Sequence, residues 1–600
     1  MSKQKLELTW IGKEKRPRLE PRILLEDPER SYHAKHRVTD SDVFDNKLIF
    51  GDNLLALKAL EHEFAGKVKC VYIDPPFNTQ QAFDHYDDGY EHSIWLGLIR
   101  DRVESIRRLL SDDGTLFVHI DDNELGYLIV LLDEIFGRRN RIGVITFKQS
   151  SASGPKAINP GLVTTNNYIL YYAKNKDAWS PNRVFVPGPR DDRYSKYIEN
   201  YDHDFRDWHL TGLREAFLRS NRLHAWDEAK AKFADKLEAK LTEFVVANAH
   251  RVVRTARVAP KDVNESAREA LSQSTADRTK VYRSKREDRD DYYFLGGEQL
   301  VFYKAKTRII DGEATTASPL TNLWDDLLSN NLHNEGGVSF PNGKKPEGLI
   351  KRCLELATKP GDIVLDSFAG SGTTGAVAHK MGRRWIMLEL GEHCDTHIIP
   401  RLRKVIDGED LSGVTKAVGW PGGGGFRYYR LAPSLIVDDR WGNPVINPEY
   451  NSAMLTEALT KLEGFSYAPS EAIWWRHGHS SERDFIYVTT QNLSADQLQA
   501  LSEEVGSDKS LLVCCSAFHA VTAAQAATRW PNLTLKKIPK MVLARCEWGH
   551  DDYSLNVTNL PVATPDPVVP TVPATGSRSR RTPANEDQGD IFGQNVGEDA

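Results

Sequence analysis

Short apolar runs that stop abruptly at polar, proline or glycine turns alternate with apolar residues at helical spacing in two separated parts of the chain. Lys47-Leu48-Ile49-Phe50 reads as a strand ending in Gly51-Asp52-Asn53, and Leu54, Leu57 and Leu60 follow at roughly helical spacing. Val71-Tyr72-Ile73 is a second buried strand. It is stopped by Asp74-Pro75-Pro76-Phe77, because the prolines can extend neither a ladder nor a helix. After a polar, aromatic-bearing stretch from Gln80 to Tyr90, of the kind that closes over a substrate, Ile94, Leu98, Val103, Ile106 and Leu110 mark one face of a long helix. Asp113-Gly114 is expected to end it. Leu116–Ile120 is the next strand, Glu124–Phe136 a second helix stopped by Gly137, and further strands are predicted at 142–147 and 168–172. This alternation argues for a doubly wound α/β sheet.

From about Asn175 to Pro319 the strand–helix rhythm is lost. The segment is charged and tryptophan-bearing, with helices expected at 213–219 and 225–249, and it reads as a mainly helical insertion. The rhythm returns at Lys345-Pro346, with a helix through Leu349, Ile350, Cys353 and Leu356. Ile363–Asp366 is then a strand, Ser367–Thr374 a Gly/Ser/Thr bend, Ala376–Ala378 part of a helix, and Trp385–Glu389 a strand. The glycine run Gly422–Gly425 marks an expected boundary before a smaller α/β unit, with strands at 485–489, 511–515 and 533–538 and a helix at 495–504. From Pro561 the chain is rich in Pro, Ser, Thr and charge and is expected to be disordered. The division is therefore an arm at 1–46, half-domains at 47–174 and 320–415 around an insertion at 175–319, a C-terminal domain at 416–560 and a tail at 561–600.

Six hundred residues exceed what one core organises, and 40% hydrophobic with 27% charged residues suits a folded soluble protein. No apolar run is long enough to span a bilayer, and the amino terminus lacks the apolar core of a secretion signal. Six cysteines without zinc-ligand spacing or a disulfide pattern point to a reducing cytoplasm. The net charge of −6 does not advertise nucleic-acid binding. Two basic clusters are local exceptions: Lys13, Lys15, Arg16 and Arg18, and Arg278, Lys280, Arg283, Lys285, Arg286 and Arg289. Either is a solvated face or a stripe for phosphates.

The candidate chemistry lies where strands stop. Asp74 and Phe77 stand at the carboxyl end of a strand, where open α/β sheets place ligands. The Asp74 carboxylate and the Pro75 carbonyl are two acceptors suited to a flat amine, and Phe77 offers a face for an unstacked base. Gly370 and Gly372 let backbone approach a ligand, and the following helix presents free N–H groups. The spacing is not that of a triphosphate loop. Asp52 and Glu389, each ending a strand, suit an adenine amine or ribose hydroxyls; for Asp52 a helix N-cap is the plainer alternative.

Asp74-Pro75-Pro76-Phe77 resembles the catalytic loop of amino-group DNA methyltransferases, and Phe368-Ala369-Gly370-Ser371-Gly372-Thr373-Thr374 resembles their S-adenosylmethionine loop. With catalytic half, insertion and cofactor half in that order, the chain is similar to beta-class adenine-N6 methyltransferases. It looks most like modification (Mod) subunits of type III restriction systems. The likeness covers residues 45–405 and includes Gly51-Asp52-Asn53, Asn322-Leu323-Trp324 and Lys345-Pro346. It implies a Rossmann-like sheet and S-adenosylmethionine as cofactor, with no metal. Asp366, Phe368, Ala369, Gly370, Ser371 and Gly372 would hold the methionine and ribose portions, Glu389 the ribose hydroxyls, and Asp52 the adenine. Lys345, with Pro346, would help to place the helix beside the methionine and counts among the cofactor-binding residues, while Asp74, Pro75, Pro76 and Phe77 take the target base. The family more often has Tyr where Phe77 stands; stacking survives that change. The resemblance implies double-stranded DNA as partner, and leaves room for a restriction or defence-system subunit and for a homodimer. A cytosine-N4 enzyme, in which Ser commonly replaces the acid, a non-catalytic DNA- and cofactor-binding subunit, and an RNA methyltransferase are the alternatives.

Overall fold

The computed structural model describes residues 7–77, 92–151, 161–287, 289–327, 332–340, 343–551 and 553, with 82–83, 86–87 and 333–334 as backbone only. The Gln80–Tyr90 stretch, apart from those four backbone positions, and the tail from Pro561 lie outside these residues. Eight of the eleven strands of the central sheet form its body: β1 (Asn46–Phe50), β2 (Val68–Ile73), β3 (Leu110–Ile120), β4 (Arg141–Lys148), β5 (Asn166–Ala173), β6 (Ile363–Asp366), β7 (Arg384–Glu389) and β8 (Gly425–Leu431). Their spatial order is β8-β1-β7-β6-β2-β3-β5-β4. All run parallel except β5, which is antiparallel to both β3 and β4.

Alternation along each strand decides which helices go where. On one face Val71, Ile73, Val118 and Leu365 pack with Leu57, Ile99 and Leu128 of α1 (Asn53–Phe64), α2 (His92–Leu109) and α3 (Leu125–Leu132). On the other, Cys70, Tyr72, Phe117 and Val364 pack with Leu349, Val377 and Leu402 of α4 (Glu347–Ala357), α5 (Thr373–Lys380) and α6 (Ile399–Ile406). The first half of the chain thus covers one face, the returning half the other, and the strands of the two halves interleave. The expected doubly wound sheet is present. Asp113-Gly114 lies inside β3, because α2 stops at Leu109 and the strand starts at once.

One content and one boundary read from sequence are corrected. The insertion is not mainly helical: nine short strands lie between Phe185 and Pro319 among the described residues, in a three-stranded and a six-stranded antiparallel sheet. Most are three to five residues long, too short for alternation to register. The expected 225–249 helix is two helices, Trp226–Phe233 and Leu237–Ala247, interrupted where Ala234 takes φ +47°. Nor does the glycine run end the main domain, because Gly425 opens β8, which pairs in parallel with β1. A Cβ at Gly422 would meet Gly408 N and Ile406 O at 3.0 Å, so glycine there permits a close chain crossing rather than a flexible link. Beyond β8, strands Asp484–Val488, Ser510–Cys515 and Leu533–Lys537 run parallel in a separate five-stranded sheet, beside the helix Ala495–Val505.

The arm is tied down. Its strand Leu24–Glu26 pairs antiparallel with β8, Lys13 pairs with Glu134 at 3.0 Å and Arg16 with Glu104 at 2.8 Å. Two cations of the first basic cluster are therefore used within the fold.

A buried ionic knot joins the cofactor-half helices. Glu347 at the start of α4 meets Lys380 of α5 and Arg401 of α6, each at 2.8 Å, and Lys380 also meets Asp410 at 2.6 Å. Arg401 Nη1 donates to Thr373 Oγ1 at 2.8 Å and to the Ser371 carbonyl at 3.2 Å. The side chains of Glu347, Lys380 and Arg401 have no exposure, so their charges depend on one another. Glu347→Ala leaves two buried cations short of their shared anion. It is expected to cost about 3–5 kcal/mol, read as a lowered midpoint of thermal or urea unfolding.

Candidate functional site

Strands β2 and β6 are neighbours in the middle of the sheet, with Cys70 opposite Val364 and Val71 opposite Leu365. Two loops nearly three hundred residues apart in sequence therefore leave adjacent strand ends. One is Asp74–Phe77; the other is Ser367–Gly372, which leads into α5.

The Asp74 loop is braced from below. Trp95 Nε1 donates to the Pro76 carbonyl at 2.8 Å. The Phe77 ring stacks on His119, with centroids 5.7 Å apart and planes 18° from parallel. His119 is fully buried in β3, its Nδ1 3.0 Å from the Tyr72 hydroxyl and its Nε2 3.2 Å from Asn167 Nδ2. Burial, reinforced by the nearby Lys345 charge, holds its pKa well below the ordinary imidazole range, so the ring under Phe77 is neutral. Sequence reading passed over His119; its signal was a single polar residue in the apolar run Leu116–Ile120.

Above the loop stands Lys345. Its ammonium lies 2.5 Å from Asp74 Oδ2 and 5.1 Å from the centre of the Phe77 ring. The side chains are 11% and 19% exposed for Lys345 and Asp74, which makes this a largely desolvated ion pair.

The glycine loop folds onto carboxylates. Asp366 Oδ1 accepts from the Phe368 N–H at 2.9 Å and Oδ2 from the Thr374 hydroxyl at 2.6 Å. Gly370 and Gly372 take φ of +53° and +75°. The Gly370 N–H donates to Glu389 Oε2 at 2.7 Å, while the Leu390 and Gly391 N–H groups and His393 Nε2 lie 2.9, 3.0 and 3.0 Å from Oε1. At Gly372 a Cβ would press on Ile398 at 3.0 Å, whereas at Gly370 the nearest atom is the Phe368 carbonyl at 3.9 Å, so that side of the loop is roomy. Ala369 is buried against the sheet, and Ser371 Oγ lies 3.1 Å from Thr373 Oγ1.

Asp52 caps α1: its Oδ1 accepts from Leu54 N at 2.9 Å and Leu55 N at 3.0 Å. Its Oδ2 meets Arg102 at 3.2 Å and the Tyr553 N–H at 3.0 Å. Fully buried, Asp52 serves here as the cap the sequence offered as the plainer alternative. The sequence-selected residues gather at the carboxyl ends of β1, β2, β6 and β7, with Lys345 on the Asp74 side.

The two central acids titrate differently. Burial would raise Glu389, but His393 and the N–H groups of Gly391 and Gly370 outweigh it and hold its carboxyl below the ordinary value. Burial dominates at Asp366; the Thr374 and Phe368 bonds pull the other way, the Asp74 and Glu389 charges push further, and its pKa is raised to about 7.

An Asp-Pro-Pro loop and a glycine-bearing loop, on neighbouring strands of a mainly parallel sheet covered by helices on both faces, mark a Rossmann-like methyltransferase fold. A DNA methylase profile (N6_N4_Mtase) matches residues 68–398, and the chain belongs to that family. A probable type III restriction-modification enzyme HindVI Mod subunit of Haemophilus influenzae is 34% identical over 428 residues, covering 66% of this chain and 55% of the relative. The EcoP15I Mod subunit of Escherichia coli is 24% identical over 587 residues, 85% of this chain and 86% of the relative. The type II methyltransferase M.EcaI of Enterobacter cloacae is 36% identical over 363 residues, 58% and 67% of the two. The chain thus spans about half the length of the Haemophilus relative.

Asp366 yields a signed pH expectation. Between about pH 4, where an unfolded aspartate ionises, and about 7 the folded protein holds a proton the unfolded chain has released. Its contribution to stability therefore falls as pH rises through that window and levels off above it. Asp366→Asn is expected to remove this slope, so urea midpoints of wild type and variant should diverge in the variant's favour from pH 5 to 8. Parallel curves would contradict the raised pKa.

Proposed function

We propose that the protein is a site-specific DNA methyltransferase that places a methyl group from S-adenosylmethionine on the N6 amine of a flipped adenine, as the modification partner in a restriction or defence system. The observation that carries this reading is the juxtaposition of the Asp74 and glycine loops on adjacent strands, with a nitrogen donor already seated on Asp74. That the relatives are Mod subunits of type III restriction-modification enzymes supports a restriction subunit as partner.

An exocyclic amine is a poor nucleophile because its lone pair is conjugated into the ring. Asp74 Oδ2, at the mouth of β2, suits an N–H donor, as its contact with Lys345 illustrates. Accepting an amine hydrogen there favours a pyramidal nitrogen with its lone pair free, and places a carboxylate to receive the proton as the new bond forms. Phe77, backed by His119, gives the base a ring to stack on. Extruding the base from a duplex costs about a few kcal/mol, which phosphate contacts offset. The cofactor supplies an electrophilic methyl on a positively charged sulfur. Among this chain's residues, Glu389, Asp366 and the Phe368–Gly372 backbone suit it: Asp366 and Glu389 hold the loop in shape, the Glu389 carboxylate stays ionised, and the roomy side of Gly370 admits a ligand against the loop. Asp74 in the place where cytosine-N4 enzymes commonly carry Ser favours adenine.

The insertion is proposed as the recognition element. On it, the exposed Arg206 and Arg283 flank the Phe205 ring at 5.2 and 4.7 Å, beside the stacked pair Tyr201–Trp208. Cations interleaved with half-buried aromatics are the composition of a nucleic-acid face.

Methylation-aware sequencing of DNA from cells expressing the chain tests the activity: N6-methyladenine at a fixed motif is expected, and N4-methylcytosine would move the assignment to that alternative. Asp74→Ala is expected to lower transfer of labelled methyl by about a thousandfold, while affinity for S-adenosylhomocysteine, whose sulfur is neutral, stays within a few-fold by calorimetry. Transfer near the wild-type rate would refute the mechanism. Joint Arg206→Ala and Arg283→Ala substitution is expected to weaken DNA binding and to reduce the slope of log affinity against log salt by about 2. An unchanged slope would place DNA elsewhere.

A further inference from the structure

Lys345 reaches the acceptor that the target amine needs. Its ammonium touches Asp74 Oδ2 at 2.5 Å, lies 5.1 Å from the Phe77 centroid, and lies 3.3 Å from the Gly343 carbonyl as a second acceptor. A base held by Asp74 and stacked on Phe77 requires that same space. Lys345 is also joined to the cofactor side: its carbonyl lies 3.4 Å from Thr373 Oγ1, and Pro346 leads directly into the Glu347 knot that grips Ser371 and Thr373.

We propose that Lys345 is a charge-operated gate on the amine pocket. Its ammonium fills the Asp74 acceptor in the free protein, loses its hold when a sulfonium cofactor is bound, and then yields Asp74 to the base. The inference rests on the methyl-transfer reading. A methyl group passed to an amine on Asp74 must start within about 3–3.5 Å of that nitrogen. The positive sulfur carrying it therefore competes with Lys345 for one carboxylate, and like charges in a partly desolvated site repel strongly. On transfer the C–S bond breaks as the N–C bond forms, and the sulfur keeps the electron pair and becomes a neutral thioether. The amine proton leaves to Asp74 or to water. With the sulfonium charge gone, Lys345 can return to Asp74 and help to displace the methylated base. A lysine that simply bound the cofactor's carboxylate would distinguish nothing between charged and neutral cofactor.

Calorimetry on the full-length protein separates these cases with two probes, S-adenosylmethionine and S-adenosylhomocysteine, which differ in the methyl group and its charge. In Lys345→Met the preference for S-adenosylmethionine over S-adenosylhomocysteine should rise by about tenfold, because Asp74 no longer faces the lysine's competing charge. Lys345→Arg should keep the wild-type preference. Asp74→Asn, which leaves the cation unopposed, should shift the preference the other way and keeps the test open if the methionine variant does not fold. An unchanged ratio in both charge-removing variants, or equal weakening of both ligands in Lys345→Met, would overturn the gate while leaving methyl transfer standing. Wild-type protein that binds neither ligand would overturn the methyl-transfer reading and the gate with it.

Discussion

The pairing of β2 with β6 is the constraint on which the rest of the molecule depends. Four-residue β6 has β7 on one side and β2 on the other, so the second half of the chain enters the sheet in its middle. Both strands are buried on both faces, and each contributes alternate residues to two cores. The hydrophobic effect fixes their register, since a slip of one residue would turn Cys70 and Tyr72 toward the wrong helices. The Asp74 loop and the glycine loop become neighbours only through that register. The Glu347 knot then fixes α4 against α5 and α6, and with them the backbone of Lys345.

The site concentrates acids and treats each differently. Asp74 is balanced by a lysine from the other half of the chain, Glu389 by a histidine and backbone amides, and Asp366 by retaining its proton toward neutral pH. Three unscreened carboxylates so close together would oppose folding. Their separate compensation lets three acids share neighbouring strand ends without a large penalty at rest.

Much of this was legible because the local signals were strong. Proline after Ile73, glycines after Phe368 and acids closing β1, β2 and β7 marked the strand ends, and helical spacing located α1, α2 and α4 to within a few residues. What escaped has identifiable causes. The insertion strands were too short for alternation to exceed chance, and local antiparallel pairing, which no single-strand pattern records, built them. The Gly422–Gly425 run read as a domain boundary, yet its glycines answer to close approaches of Gly408, Asp42, Val43 and His33. Lys345 was assigned on resemblance to the cofactor side; its contact with Asp74 is a tertiary matter that no local pattern records. His119 carried too little signal: a lone histidine in an apolar run is most often a satisfied core residue, and its stacking under Phe77 appears only in three dimensions.

The way the insertion joins the sheet has a consequence for how such proteins diversify. The chain leaves at Ala173, the end of the reversed strand β5, and returns at Leu323–Trp324, which pairs in parallel with Thr146 and Phe147 of the terminal strand β4. Departure and return therefore lie along one margin of the sheet, and neither crosses the strands that carry the chemistry. The intervening segment has its own sheets and its own apolar clusters around Phe217, Val253 and Phe294. Its length can therefore change without disturbing the pairing of β2 with β6.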